Sequence, residues 1–192
     1  IASKFKINEI NSILPFYNQD IIEDNQARFL HVKIESINII CLYLPNGNPA
    51  PGPKYDYKIN WMKRLIKYTK EIYDKNEPLI LGGDFSVIQE DNDCYDVSKW
   101  QDDALYLKET RRCMKELINI GLLDSYRLKY PNLKEYSFWD YQAGAWQKDN
   151  GIRIDFFLIS PEIVDTLIDV GIDKSLRGQE KPSDHTPIWV KI

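Results

Sequence analysis

The segment Lys181-Pro182-Ser183-Asp184-His185-Thr186-Pro187 sets a carboxylate beside an imidazole between two prolines, in a chain with only two histidines. Proline fixes φ, so the backbone under both side chains is stiff. Imidazole titrates near neutrality, and a carboxylate can orient it or sit beside a cation, so such a pair is suited to phosphate hydrolysis. The same pair also suits an exposed turn. Two more carboxylates stand at the ends of apolar runs. Pro78-Leu79-Ile80-Leu81 leads into Gly82-Gly83-Asp84-Phe85-Ser86, which puts Asp84 at the end of a short strand, or in a turn where it bonds its own backbone. Gly151-Ile152-Arg153-Ile154-Asp155 opens the apolar run through Ile159. Tyr43 ends another apolar run, at the mouth of a proline-rich loop, with a hydroxyl that could equally face a packed rim.

The elements that must position these groups can be read in order. The stretch from Ile10 to Asn25 has no sustained period and is expected to be a loop with a turn near Pro15. Arg28 to Ile34 and Ile37 to Leu44 flank Glu35-Ser36 as a hairpin. The second run, INIICLYL, is nearly all apolar, which predicts an inner strand buried on both faces with Cys41 in the core. Pro45 to Pro53 holds too many prolines for helix or central strand. From Lys54 to Lys75, Ile59, Met62, Leu65, Ile66, Thr69, Ile72 and Tyr73 recur at spacings of three and four, the stripe of an amphipathic helix. Gln89 to Asp103 is acidic but lacks the alternating ligands and central glycine of a calcium loop, so a solvated loop is expected. Leu105 to Ile120 predicts a second helix ending at Gly121. Aromatics crowd Tyr136 to Tyr141 and Trp146, as packing or as rings that stack on bases. Ser160-Pro161 predicts a helix start with Gly171 as its stop, and Ile188 to Ile192 a final strand. Helices and strands alternate without strict βαβ units, which favours an α/β sandwich over a doubly wound parallel sheet.

Composition narrows the class. At 192 residues, 43% hydrophobic and 28% charged, one globular domain over residues 1–192 is expected. No apolar run approaches a membrane span, and the start lacks the basic and apolar regions of a signal peptide, so a cytoplasmic protein is the simplest expectation. Three widely spaced cysteines suggest neither a disulfide framework nor a thiolate metal site. A net charge of −4 argues against nonspecific coating of nucleic acid, while leaving room for a local basic rim or a divalent metal.

Together, Tyr43-Leu44-Pro45-Asn46-Gly47, Gly82 to Ser86, Ser137 to Tyr141, Gly151 to Asp155 and Lys181 to His185 form an ordered set that resembles the exodeoxyribonuclease III family, within the endonuclease/exonuclease/phosphatase superfamily. The resemblance covers essentially the whole chain. It implies a four-layer α/β sandwich, with two mixed sheets face to face and helices outside. It also implies Mg2+ or Mn2+ as cofactor, and removal of nucleotides from 3′ ends or incision beside abasic sites of double-stranded DNA, by a monomer. By resemblance, Asp155 orients His185, His185 touches the scissile phosphate or activates water, and Asp184 lies at the metal side. Asp84 positions or deprotonates the water or protonates the leaving oxygen, Tyr43 bonds the phosphate, and Phe138, Trp139 and Tyr141 recognise the abasic or terminal nucleotide. Ser86 stands where the family has Asn, which keeps a donor with a shorter reach. The family also begins with a further stretch carrying an Asn and the principal metal-ligand Glu, so the chain is expected to be the C-terminal part of such an enzyme. A superfamily phosphomonoesterase or phospholipase, and a non-catalytic DNA-binding remnant, are the alternatives.

Overall fold

The computed structural model describes residues 1–15, 24 and 26–192. Its centre is a six-stranded mixed sheet in the order β1-β2-β3-β4-β6-β5. The strands are β1 (Ile7–Asn11), β2 (Phe29–Ile34), β3 (Ile37–Tyr43), β4 (Leu79–Asp84), β5 (Leu123–Asp124) and β6 (Asp155–Ile159). A second, antiparallel sheet pairs β7 (Asp169–Ile172) with β8 (Ile188–Lys191), with β8 packed on β6. The helices are α1 (Pro53–Tyr73), α2 (Lys108–Ile118), α3 (Ser125–Lys129) and α4 (Pro161–Val164). This is the mixed α/β architecture expected, with a second sheet of only two strands among the described residues.

The main core explains why the central strands and the two long helices associate. Ile40, Leu42, Leu79, Leu81, Phe156 and Leu158 point to one face and bury against Trp61, Met62 and Leu65 of α1 and Met114 and Leu117 of α2. The α1 stripe lies at helical spacing, with Ile59, Met62, Leu65, Thr69 and Ile72 all buried. Pro53 stands at the helix start, where a missing N–H costs nothing. On the opposite face Ile80, Ile159 and Ile163 form a smaller cluster that brings α4 onto the sheet.

Several local expectations are corrected. β3 is an inner strand, yet it is buried on one face only, and Cys41 is exposed rather than core. The hydrophobic run conceals that alternation because Ile37 and Ile39 are apolar on the thinly covered face. Ile10 and Asn11 belong to β1, so the loop expected from Ile10 is a strand at its start, while residues 16–23 and 25 of that loop lie outside the described residues. The helix after Ser160 is a single turn, and Gly171 sits inside β7, where a Cβ would come within 2.5 Å of the Trp189 ring. The strand leading from Gly151 begins at Asp155 itself, because residues before it bridge to Cys94 and Phe138 instead. The acidic stretch is only partly solvated: Asp93 is fully buried, with Arg127 at 2.5 Å and Arg153 at 2.8 Å.

Candidate active site

The sheet register brings the strand-end residues together. In the parallel pair β3–β4, Tyr43 stands opposite Asp84, and in the antiparallel pair β4–β6, Asp84 stands opposite Asp155. Cross-strand partners point to the same face, so the three side chains form one row across three adjacent strands. Gly83 makes the close approach of β3 and β4 tolerable, since at φ +142° a Cβ would lie 2.0 Å from the Leu42 carbonyl oxygen.

His185 enters from the chain's far end. Its backbone bridges Phe138, its ring stands edge-on to the Phe138 ring at 5.0 Å, and Nδ1 donates to Asp155 Oδ2 at 2.9 Å. That bond leaves Nε2 as the free face of the ring. The same Asp155 oxygen accepts from Ser137 Oγ at 2.6 Å, and Ser137 Oγ itself accepts from the Ile154 and Asp155 backbone N–H groups at 3.2 Å. Buried Ser137 therefore fixes the carboxylate that fixes the imidazole.

Asp84 is held from below by the Ser86 backbone N–H at 2.6 Å and the Ser86 hydroxyl at 3.1 and 3.3 Å. Ser86, expected to keep a donor of shorter reach than the family's Asn, is almost fully buried at φ +47° and spends its donors on Asp84. Burial, and next the Asp155 charge, push the Asp84 carboxyl up to about 6, against the pull of His185 and Ser86. Burial alone would lower His185, but the hydrogen bond and charge of Asp155, with Asp84 and Asp184 adding charge, raise it above its ordinary value. The row thus pairs a reluctant carboxylate with an imidazole that favours its cation.

These groups open into one depression of about 390 Å³, with Tyr43, Asp84, Phe138, Asp184 and His185 in its walls. Tyr43 is half exposed, with the Arg28 guanidinium 4.7 Å from its ring centre. Of the aromatic loop, Phe138 lines the depression, while the Tyr141 hydroxyl donates to the Pro182 carbonyl at 2.9 Å. Trp139 does not fit its expected part in substrate recognition. Its indole is fully buried, edge-on to Trp146 at 5.0 Å, with Nε1 donating to Asp149 at 3.0 Å, and its backbone N–H ties the loop to the Asp184 carbonyl. Asn46 of the Tyr43-to-Gly47 motif also lines the walls, as do Asn48, Trp100, Asp103 and Leu105, which were not singled out from the sequence. Asn48 lies just past that motif, where the only sequence signal was turn composition.

The donor set does not complete a cation site. Among the described residues no group of three or more His, Cys, Asp or Glu is placed to hold a metal ion. Both Asp84 oxygens accept from Ser86 and Asp155 Oδ2 is shared by Ser137 and His185, which leaves Asp184 as the carboxylate without a strong partner. Mg2+ is held by one or two carboxylates with waters and substrate phosphates completing its octahedron, and Asp184 supplies at most one of them here.

The arrangement is one of strand-end carboxylates beside an oriented histidine on a mixed α/β fold. The sequence profile of the Endonuclease/Exonuclease/phosphatase family matches residues 1–185, and the chain belongs to that family. It is 30% identical over 182 residues to exodeoxyribonuclease III of Haemophilus influenzae, covering 88% of this chain and 68% of that protein. It is likewise 30% identical over 170 residues to an exodeoxyribonuclease of Bacillus subtilis, covering 88% of this chain and 65% of that one. A solved 3′ phosphatase from Neisseria bound to product DNA hairpin aligns with TM-score 0.85 and 32% identity, over 88% of this chain and 66% of its own. The chain therefore spans about two thirds of the length of these relatives. No helix among the described residues is long and apolar enough to cross a membrane.

Proposed function

We propose that the chain carries the catalytic row of a phosphodiester hydrolase acting on double-stranded DNA, with 3′-to-5′ exonuclease and abasic-site incision as its activities in base excision repair. The observation that carries the proposal is the Tyr43–Asp84–Asp155 row with His185 locked onto Asp155. Family membership and the exodeoxyribonuclease relatives support it.

In this mechanism the Asp84 carboxylate takes the proton of the attacking water as the new P–O bond forms. A base that titrates near 6 is mostly ionised at neutrality yet still basic enough to accept a proton. Charge gathering on the phosphoryl oxygens is met by the Nε2–H of protonated His185 and by the Tyr43 hydroxyl. The O3′ or terminal oxygen leaves with the electron pair of the broken P–O bond and takes up a proton from solvent or from Asp84. Phe138 gives the sugar an apolar wall. Asp184 faces the same space and would contribute one ligand to a divalent ion, Mg2+ or Mn2+, which would neutralise phosphate charge when bound. The described residues alone do not cage that ion, and no step here depends on its position.

The test is a titration of Mg2+ and Mn2+ against a duplex with one abasic site and a free 3′ end. It is run on this chain and on this chain preceded by the amino-terminal segment of the Bacillus relative. Metal-dependent incision by the longer chain, lost in His185→Ala, is the expected result. A longer chain that folds and releases only inorganic phosphate from 3′-phosphorylated ends would favour the phosphomonoesterase alternative. No cleavage at all would leave a DNA-binding remnant.

A further inference from the structure

Lys58 lies in the first turns of α1, fully buried, and the reaction just described makes no use of it. An ammonium withdrawn from water is costly unless its protons find partners. Here Nζ donates to the Asn46 carbonyl at 2.9 Å and to the Ser86 carbonyl at 2.6 Å. Asn46 belongs to the loop after β3 and Ser86 to the loop after β4, and both residues line the depression. Gly47 gives the lysine stem its passage: at φ +91°, a Cβ there would sit 2.6 Å from Lys58 Cδ. The charges that face the ammonium are Asp84 and Asp103, and Asp103 is itself gripped by Asn48 Nδ2 at 3.1 Å. A residue kept only for packing would have no need of an ammonium with two directional bonds to two different loops.

We propose that Lys58 is a positioning residue: its buried ammonium ties the Asn46 loop to the Asp84–Ser86 loop, fixing the separation of two walls of the depression and keeping a cation behind the Asp84 carboxylate. Its functional meaning rests on the hydrolase reading, while the tie itself does not. Burial drives Lys58 down to about 7, against the opposing pull of Asp84 and Asp103, so the tie weakens as the ammonium becomes a neutral amine above neutrality.

The experiment is solution NMR on the full 192-residue chain and its Lys58→Met variant, which keeps the stem and removes the charge. With the variant folded, we expect roughly tenfold faster amide exchange at residues 44–48 and 84–87, and an Asp84 carboxylate that titrates about one pH unit higher. Unchanged loop protection and an unchanged Asp84 titration would mean that Lys58 merely packs, and would overturn the proposal. Should Lys58→Met not fold, the Asp84→Asn/His185→Ala chain serves instead, since it removes the carboxylate and the imidazole whose titration would otherwise move the same amides. From about pH 6 to about pH 9 the Gly47, Asn48 and Ser86 amides should then move together through one midpoint near that of Lys58, and their failure to move would overturn the tie. Neither measurement reads hydrolysis, so a failed cleavage assay and a failed tie are distinct results.

Discussion

Asp84 and Asp155 are direct cross-strand partners in β4–β6, two carboxylates at the end of buried strands that face the same side. Only Asp155 has an imidazole to share its charge. Burial, and next the facing Asp155 charge, raise the Asp84 carboxyl to about 6.

The first consequence is a cost to the fold. The folded Asp84 titrates near 6 against 3.8 ordinarily, so between those values the native state binds more protons than the unfolded state. Stability from this group is present below the ordinary value and lost as pH rises through about 6. Asp84→Asn should therefore raise stability at neutral pH, by up to roughly 3 kcal/mol, while removing hydrolysis. Chemical denaturation at two pH values checks it: the gain should shrink toward pH ~4.

In a chain that cleaves, His185→Ala and Asp155→Ala should lower kcat to similar extents, because each disables the same oriented imidazole. The double variant should be little worse than either single one. Fully multiplicative losses in single-turnover rates would separate the two residues.

Ser86→Asn should stabilise the loop and raise turnover. Asn tolerates the left-handed backbone better than Ser, and its longer amide can reach the depression while Ser86 is confined to Asp84. One restored hydrogen bond of ~1.4 kcal/mol corresponds to about tenfold in kcat. A rate equal to or below that of the serine chain would show a site already adapted to serine.

His31 predicts acid sensitivity away from the site. It is buried, with Nδ1 against the Tyr68 hydroxyl at 2.7 Å and Nε2 against Asn38 Oδ1 at 3.1 Å. Since Asn38 Oδ1 can only accept, Nε2 carries the proton and Tyr68 donates to Nδ1. Burial lowers the histidine below 6.5, so stability from the neutral ring is present above 6.5 and lost as pH falls toward its folded value. Tm should drop between about pH 7 and about pH 5, and drop less in His31→Gln; equal slopes would refute the assignment.

The polypeptide alone should hold Mg2+ weakly, since no three donors converge among its described residues. Calorimetric titration should show no saturation at micromolar metal, and Asp184→Asn should change the isotherm little.

How much of this could be read from the sequence follows from what each signal depends on. The α1 stripe, the β2–β3 hairpin and the position of Asp84 at the end of β4 rest on local periodicity and turn residues, so they were legible. The motif order brought Tyr43, Asp84, Asp155 and His185 forward as one set. Their geometry was not local. That Asp84 faces Asp155, that His185 reaches Asp155 from 30 residues away, and that Ser137 braces the pair are products of sheet register and chain reversal. Burial was legible only where apolar and polar residues alternate. INIICLYL has apolar residues on both faces of β3, so nothing in its composition marks Cys41 as exposed. Conversely, charged Lys58, Asp93 and Arg153 look like surface residues until tertiary packing surrounds each with partners. The local sequence decided which side chains the strands and loops offer; the fold decided which of them meet, because contact between distant residues depends on the packing of the whole chain.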